Sequence, residues 1–280
     1  MGDTLSKTQP LQIDLSDSPL WHRWLQPLWA ARQFLPAPFD ASQIASDMAA
    51  YDAADASGYR TELLTVLRRH LTAAKNTIKQ DFLATHDGAV YVGQHARCID
   101  GLLRLLHDEA YKIIPQSDAI AVIAVGGYGR GEMAPFSDID VMFLMPAKTS
   151  KKHEAAIEFM LYMLWDLGLK IGHSTRSITE AINAGRDDQT VMTSFLEMRL
   201  VCGDAALWTN LSDALRLEIA KNKPLVFVEE KLYERDLRHK RFGDTRYVVE
   251  PNVKDGKGGL RDLHSLFWIA KYAYRADSIM

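Results

Sequence analysis

Cysteine is scarce in this 280-residue sequence, in which Cys98 and Cys202 are the only two. They lie far apart and neither belongs to a C-x-x-C pair. A disulfide framework is therefore not indicated, and we expect two buried free thiols in a reducing compartment.

Long apolar runs are also missing. No stretch of about 18 consecutive apolar residues occurs, so the sequence predicts no membrane-spanning helix and no membrane partner. The polar, acidic first 20 residues have neither the charged start nor the apolar stretch of a signal peptide. We therefore expect a cytoplasmic protein.

Excess positive charge is the third absence, because the formal net charge is -3 and the isoelectric point is about 6.3. A protein that follows long nucleic acid usually carries a basic footprint, so no nucleic-acid partner is expected. What is present is a hydrophobic content of 47%, which is enough to build one large or two modest domains.

Apolar periodicity changes twice along the chain and predicts an α/β (α+β) fold. Residues 42–84 have helical spacing, with Leu63, Leu64, Leu67 and Leu71 on one face, and a second helix is predicted from about 90 to 114. Two buried strands follow at 119–125 and 138–145, joined by a short connection with room for one helical turn. The remaining predictions are a helix at 152–167, a short strand at 169–173, and helices at 177–185, 188–202, 204–222, 225–242 and from 260 on.

The domain prediction is a small mixed sheet flanked by helical regions. The N-terminal helical region covers 1–88, the core covers 89–176, and the C-terminal helical region covers 177–280, with a glycine-rich loop at 253–262.

Gly126 and Gly127 end the first predicted strand, where backbone amides without a Cβ can approach a phosphate. Two familiar glycine motifs are excluded. A dinucleotide fingerprint needs G-x-G-x-x-G with an acid about 20 residues later, and a Walker A loop needs G-K-[ST] after its second glycine. Neither pattern occurs here.

Asp138 and Asp140 stand at i and i+2 of the second strand, so both carboxylates point the same way while Ile139, Val141 and Phe143 pack behind. Two adjacent carboxylates repel each other, and Mg²⁺ removes the repulsion while completing its shell with phosphate oxygens and water. The alternative is a plain turn whose aspartates cap or pair with basic residues such as Arg130.

The string GGYGRGEMAPFSDID at 126–140 resembles the signature of the DNA polymerase β-type nucleotidyltransferase superfamily. Within it, the string is similar to the bifunctional uridylyltransferase/uridylyl-removing enzymes of nitrogen regulation (GlnD). LWDLGLKIGHSTRSI at 164–178 and RFGDTRYVVEPNVKDGKGGLRDLHSLFWIAKY at 241–272 resemble further stretches of that family. The family continues with a phosphohydrolase domain and two ligand-sensing domains that are not visible here, so we expect a piece of something longer, without uridylyl removal or glutamine sensing.

The resemblance implies transfer of UMP from UTP to a tyrosine of the PII signalling protein, with release of pyrophosphate. Asp138 and Asp140 would be catalytic and would hold Mg²⁺ or Mn²⁺. A second anion-binding element is predicted in the loop 253–262, where Lys254, Lys257 and Arg261 surround three glycines. The nucleotide-binding residues predicted in this way are Gly126, Gly127, Arg130, Ser137, Lys257 and Arg261.

One departure from the superfamily concerns a third carboxylate, which many members carry on the next strand. That strand reads LKIGHST here, with His173 or Ser174 near the position, and His173 is a hypothetical general base. Asp187, Asp188 and Glu197 are the remaining acids, each expected as a cap or a surface charge. The basic run 238–241 is expected to be a solvated helix end. Another nucleotidyltransferase, such as an adenylyltransferase, and a non-catalytic nucleotide-binding module remain alternatives.

Overall fold

The computed structural model describes residues 39–51, 56–114, 120–221, 224–245, 247 and 249–274. The prediction for 1–88 is therefore tested only from residue 39 on, and residues 275–280 lie outside the described part. Within the described residues, no helix combines the length and the apolar character needed to cross a membrane.

Three helices open the described chain: α1 (Ala41–Met48), α2 (Ala56–Thr85) and α3 (Gly88–Ile113). The helical pattern over 42–84 thus corresponds to two helices rather than one. The predicted apolar face of α2 is found in the core, because Leu63, Leu67 and Leu71 are at most 4% exposed and pack with α3. The side chain of Asp87 accepts hydrogen bonds from the first backbone amides of α3, which fixes the start of that helix.

A four-stranded mixed sheet forms the centre of the molecule, which confirms the predicted fold class. The strand order is β3-β2-β1-β4, with β1 antiparallel to both β2 and β4 and with β2 parallel to β3. One sheet face packs on α2, α3 and the helix between β2 and β3, and the other packs on the C-terminal helices. In chain order, the elements of this part are β1 (Ala121–Ala124), α4 (Gly126–Gly129), β2 (Ile139–Met145), α5 (Lys151–Asp166) and β3 (Ile171–Ser177).

The region after residue 176 is not purely helical, so the helix predicted over 188–202 is wrong. After α6 (Ile178–Asp187), the helix α7 (Gln189–Phe195) ends early and β4 (Arg199–Gly203) joins the sheet beside β1. A short apolar run such as RLVCG fits a strand or a buried helix equally well, and only the pairing with β1 decides between them. Strand β3 also runs to 177 instead of 173, because it pairs with the whole length of β2.

The C-terminal helices are α8 (Ala205–Lys221), α9 (Pro224–Arg241) and α10 (Leu260–Tyr274). Helices α9 and α10 are held together by stacked rings of Phe227 and Tyr272, whose centroids are 4.0 Å apart. Phe227, Trp268 and Tyr272 join the same buried cluster as β1 and β2, so this helix pair lies against the sheet.

Candidate active site

A cleft of about 920 Å³ lies between the sheet and the C-terminal helices. Its floor is formed by α4 and the start of β2, and its other walls come from α7, α9, α10 and the loop before α10. Of the predicted site residues, those that line it are Gly126, Gly127, Arg130, Ser137, Asp138, Asp140 and Arg261.

The glycines of the turn serve different purposes. Gly126 has φ +57°, which favours glycine. A Cβ on Gly129 would lie 2.1 Å from the carbonyl oxygen of Glu197, so no side chain fits there. Gly127 lines the cleft, and a Cβ there would meet protein atoms only at the ordinary contact distance of 3.6 Å.

Tyr128 anchors the turn to α3. Its ring is 1% exposed and its hydroxyl donates a hydrogen bond of 2.7 Å to Asp100 Oδ1. Arg199 of β4 pairs with the same carboxylate at 2.9 Å and lies over the ring of Tyr128. Buried charges are tolerated when they are paired and hydrogen-bonded in this way, and the result is a turn fixed to both α3 and β4.

The two carboxylates adjoin the turn. A Cβ on Gly126 would lie 3.6 Å from Asp140 Oδ2, and the backbone amide of Val125 donates to the Asp140 carbonyl at 3.0 Å. Asp138 is exposed just before β2, whereas Asp140 is half-buried within it. Burial raises the pKa of Asp140, the charge of Asp138 raises it further, and the charge of Lys254 lowers it.

Strand β3 carries no acidic residue opposite Asp140, the position where many members of the superfamily have a third carboxylate. Asp140 pairs with Gly172 of β3, where a Cβ would lie 2.4 Å from Asp140 Oδ1. His173 follows on the opposite face of the sheet, with its ring centroid 5.9 Å from that of Trp165 in α5. The structure therefore contradicts the hypothesis that His173 is the general base.

Arg130 is held by two carboxylates other than the predicted aspartates. Its Nε donates to Glu132 at 3.0 Å, and one terminal nitrogen donates to both oxygens of Glu197 at 2.8 Å. Trp268 Nε1 of α10 donates to Glu197 at 2.6 Å. Glu197 is 5% exposed, so the prediction of a surface charge or cap is wrong for this residue.

Asp187 and Asp188 agree with the sequence prediction. Asp188 caps α7 by accepting from the amide of Thr190 at 2.6 Å, and the exposed Asp187 ends α6. Neither lies in the cleft.

The glycine-rich loop divides its basic residues between two sides. Lys254 and Arg261 line the cleft, but Lys257 points away and pairs with Asp244 at 2.8 Å. Asn252 fixes this arrangement, because its side-chain oxygen accepts from the amides of Lys254 at 3.0 Å and of Asp255 at 2.8 Å. The structure therefore does not bring the predicted Lys257 into the site and brings Lys254 there instead.

Helix α9 contributes residues that the sequence reasoning missed. Lys231 is 2% exposed and pairs with Glu234 at 2.7 Å at the cleft wall. Arg238 pairs with Asp262, as does the buried His239, so these two members of the basic run 238–241 are not solvated. One feature of the sequence could have indicated these residues: the helical spacing of Lys231, Arg238 and Arg241 places three basic side chains on one face of α9.

The carboxylate pair fits a divalent cation that takes its other ligands from substrate and water. Among the described residues, no group of three or more histidine, cysteine or acidic side chains is arranged for a metal. Mg²⁺ is commonly held by one or two carboxylates together with phosphate oxygens and water, which is the donor set that Asp138 and Asp140 offer.

Comparisons with known proteins agree with this geometry. Residues 109–198 match the model of the nucleotidyltransferase domain, and residues 226–280 match that of GlnD PII-uridylyltransferase. Relatives named bifunctional uridylyltransferase/uridylyl-removing enzyme occur in Rhodospirillum rubrum, with 46% identity over 77% of this chain, and in Azospirillum brasilense, with 44% over 79%. One from Novosphingobium aromaticivorans is 51% identical over 63% of this chain and 20% of its own length.

The matched part is 24% of the first two relatives, so the chain spans about a quarter of their length. The mixed sheet, the glycine turn and the paired carboxylates, together with the domain match, define a nucleotidyltransferase domain. Among nucleotidyltransferases, the chain belongs to the GlnD PII-uridylyltransferase family, which confirms the resemblance found in the sequence.

Proposed function

We propose that this chain transfers UMP from UTP to a tyrosine of a PII signalling protein in the cytoplasm, releasing pyrophosphate. The observation that carries the proposal is the cleft in which the turn at Gly126 and Gly127 meets the Asp138–Asp140 pair and the cations Lys254 and Arg261. The names of the family and of its relatives supply the base and the acceptor.

Asp138 and Asp140 would hold Mg²⁺ or Mn²⁺. The ion, when bound, stabilises negative charge on the phosphate oxygens and on the departing pyrophosphate. The raised pKa of Asp140 supports this assignment, because part of it comes from repulsion by Asp138 that a cation would remove.

The triphosphate would lie along the open backbone of Gly127, with Ser137 beside it at the cleft wall. Lys254 and Arg261 supply positive charge from the opposite wall. Arg130 also faces the cleft, but Glu132 and Glu197 compensate its charge, so its main contribution is to hold the turn in place.

In the proposed reaction, the tyrosine oxygen forms a bond to the α-phosphorus while the bond from that phosphorus to the pyrophosphate oxygen breaks, and the electron pair leaves with pyrophosphate. The phenol proton passes to solvent. Because the phenol has a pKa of about 10, it is more acidic than an aliphatic hydroxyl, and the reaction makes a smaller demand on a general base.

The test is the mass of purified PII after incubation with UTP, Mg²⁺ and this chain. We expect a uridylyl adduct with the wild type and a rate lower by orders of magnitude with Asp138→Asn or Asp140→Asn. Asp213→Asn, an exposed carboxylate on α8, is the matched control and should keep the full rate.

Parallel reactions with ATP, GTP and CTP test the choice of base. Preferential transfer of AMP would support an adenylyltransferase instead. Wild-type rates in both aspartate variants would contradict the assignment of the site. If wild-type protein released no pyrophosphate at high concentration, the non-catalytic alternative would replace the proposal.

A further inference from the structure

Helix α10 presents three side chains to the cleft at helical spacing: Arg261, His264 and Trp268. Arg261 lies over the ring of Trp268 at 5.7 Å, and the ring of His264 is 5.8 Å from that of Trp268. Trp268 Nε1 donates a hydrogen bond to Glu197. His264 is thus one turn from a cation on one side and from an anchored indole on the other.

The polar atoms of His264 differ from those of its neighbours in the cleft. Arg130, Lys231 and Arg238 each pair with a carboxylate. The Nδ1 atom of His264 is buried, and no hydrogen-bond partner for it exists among the described residues. Buried polar atoms in native proteins are nearly always satisfied, so this atom calls for a partner.

The charge state of His264 limits what that partner is. Burial, together with the positive charges of Arg130, Arg261 and Lys254, lowers the pKa of His264 to about 4, against a raising effect from Glu132. The imidazole is therefore neutral near pH 7 and offers one donor and one acceptor. Lys254 and Arg261 already supply positive charge for the phosphates, so a neutral ring adds most to the recognition of an uncharged polar group.

We propose that His264 hydrogen-bonds the uncharged nucleoside part of the bound nucleotide, a ribose hydroxyl or a polar edge of the base. This inference rests on the proposed nucleotidyltransferase site and adds a specificity residue to it. His264 lines the cleft, and a rotation of its ring would bring the buried Nδ1 to a nucleotide bound there, so that α10 takes part in recognising the substrate.

Calorimetric titration of the chain with UTP and Mg²⁺ tests the inference through three variants. His264→Phe keeps a ring beside Trp268 and removes both polar atoms, and we expect UTP binding to weaken about tenfold. His264→Gln keeps a donor and an acceptor and should bind within about twofold of the wild type. His173→Phe, on the opposite sheet face, is the matched control and should bind normally. Thermal unfolding of each variant shows that it is folded.

Further ligands locate the contact. Titration with 2′-dUTP and CTP separates a ribose contact from a base contact, and a loss of the His264→Phe effect with either ligand supports the proposal. An equal weakening of tripolyphosphate binding would overturn it, because the contact would then be with the phosphates. Normal UTP binding by a folded His264→Phe would also overturn it.

The outcomes separate this inference from the proposed function. If the wild type bound no nucleotide, the proposed function would fail. If a folded His264→Phe bound UTP normally but transferred no UMP, His264 would have a role in proton transfer, and the recognition role would be rejected while the site remained.

Discussion

The surroundings of Asp140 disfavour the charged form of its carboxyl group. It is half-buried, lies next to the carboxylate of Asp138 and faces Gly172, which offers no side chain. Its pKa in the folded state is raised, so between the pKa of the unfolded chain, about 3.9, and the folded value, the folded protein holds more protons. The free energy of unfolding therefore falls as the pH rises through that window and stays lower above it.

Asp140→Asn should consequently stabilise the protein near pH 7 while abolishing transfer. We expect a gain of about 1 kcal/mol, equivalent to about 2–4 °C in melting temperature. Thermal unfolding in the presence of a chelator measures this gain in stability. The difference in melting temperature between Asp140→Asn and the wild type should narrow as the pH falls towards 4. Asp213→Asn is the control without a gain, and a variant less stable than the wild type at pH 7 would contradict this account of Asp140.

The turn α4 offers a contrast between two glycines of one element. Gly127→Ala adds a methyl group with ordinary contacts of 3.6 Å, so the free energy of unfolding should change by less than about 1 kcal/mol. We expect the KM for UTP to rise at least tenfold, because the methyl group would block the phosphates. Gly129→Ala places the methyl group 2.1 Å from the carbonyl oxygen of Glu197 and should cost about 2 kcal/mol or more. Urea unfolding and steady-state kinetics separate the two effects. Equal stability losses in both variants would show that the turn does not keep Gly127 open.

The two lysines of the loop before α10 should differ in their effect on the KM for UTP. Lys254→Met should raise the KM for UTP about tenfold or more, because a cation is removed from the cleft that holds Asp140. Lys257→Met removes only the exposed pair with Asp244 and should leave the KM within about twofold. Initial rates with varied UTP provide the measurement, and the reverse order of effects would mean that the loop faces the other way.

Across the whole molecule, Glu197 joins the turn to the C-terminal helices through Arg130 and Trp268. Glu197→Gln should lower the free energy of unfolding by about 2–4 kcal/mol and weaken UTP binding, since one partner of a buried ion pair is neutralised and the turn loosens. Glu218→Gln is a matched control, because Glu218 is also buried and pairs with Arg186, but outside the cleft. It should lose stability without losing UTP affinity. Normal affinity in a folded Glu197→Gln would mean that the turn holds its position without this network.

The predictable part of the site is the part encoded locally. Gly127 and Asp140 lie in one turn and the strand that follows it, so strand periodicity and glycine chemistry were sufficient to predict their proximity, and their roles stay predictions. Glu197 and His264 reach the cleft through the packing of α7 and α10 against the sheet, which local spacing does not reveal. The orientation of Lys254 depends on hydrogen bonds to Asn252. The pattern of charges in the sequence does not reveal this orientation.

The anchoring of Tyr128 has a practical consequence for dissecting the chain. The matched nucleotidyltransferase range ends at 198 and begins at 109, so it excludes both Asp100 and Arg199, the ion pair that holds this tyrosine. A protein trimmed to the boundaries of that match would contain every residue of the sequence signature and lack the two that fix its shape. The smallest portion worth expressing therefore begins before α3 and extends beyond β4.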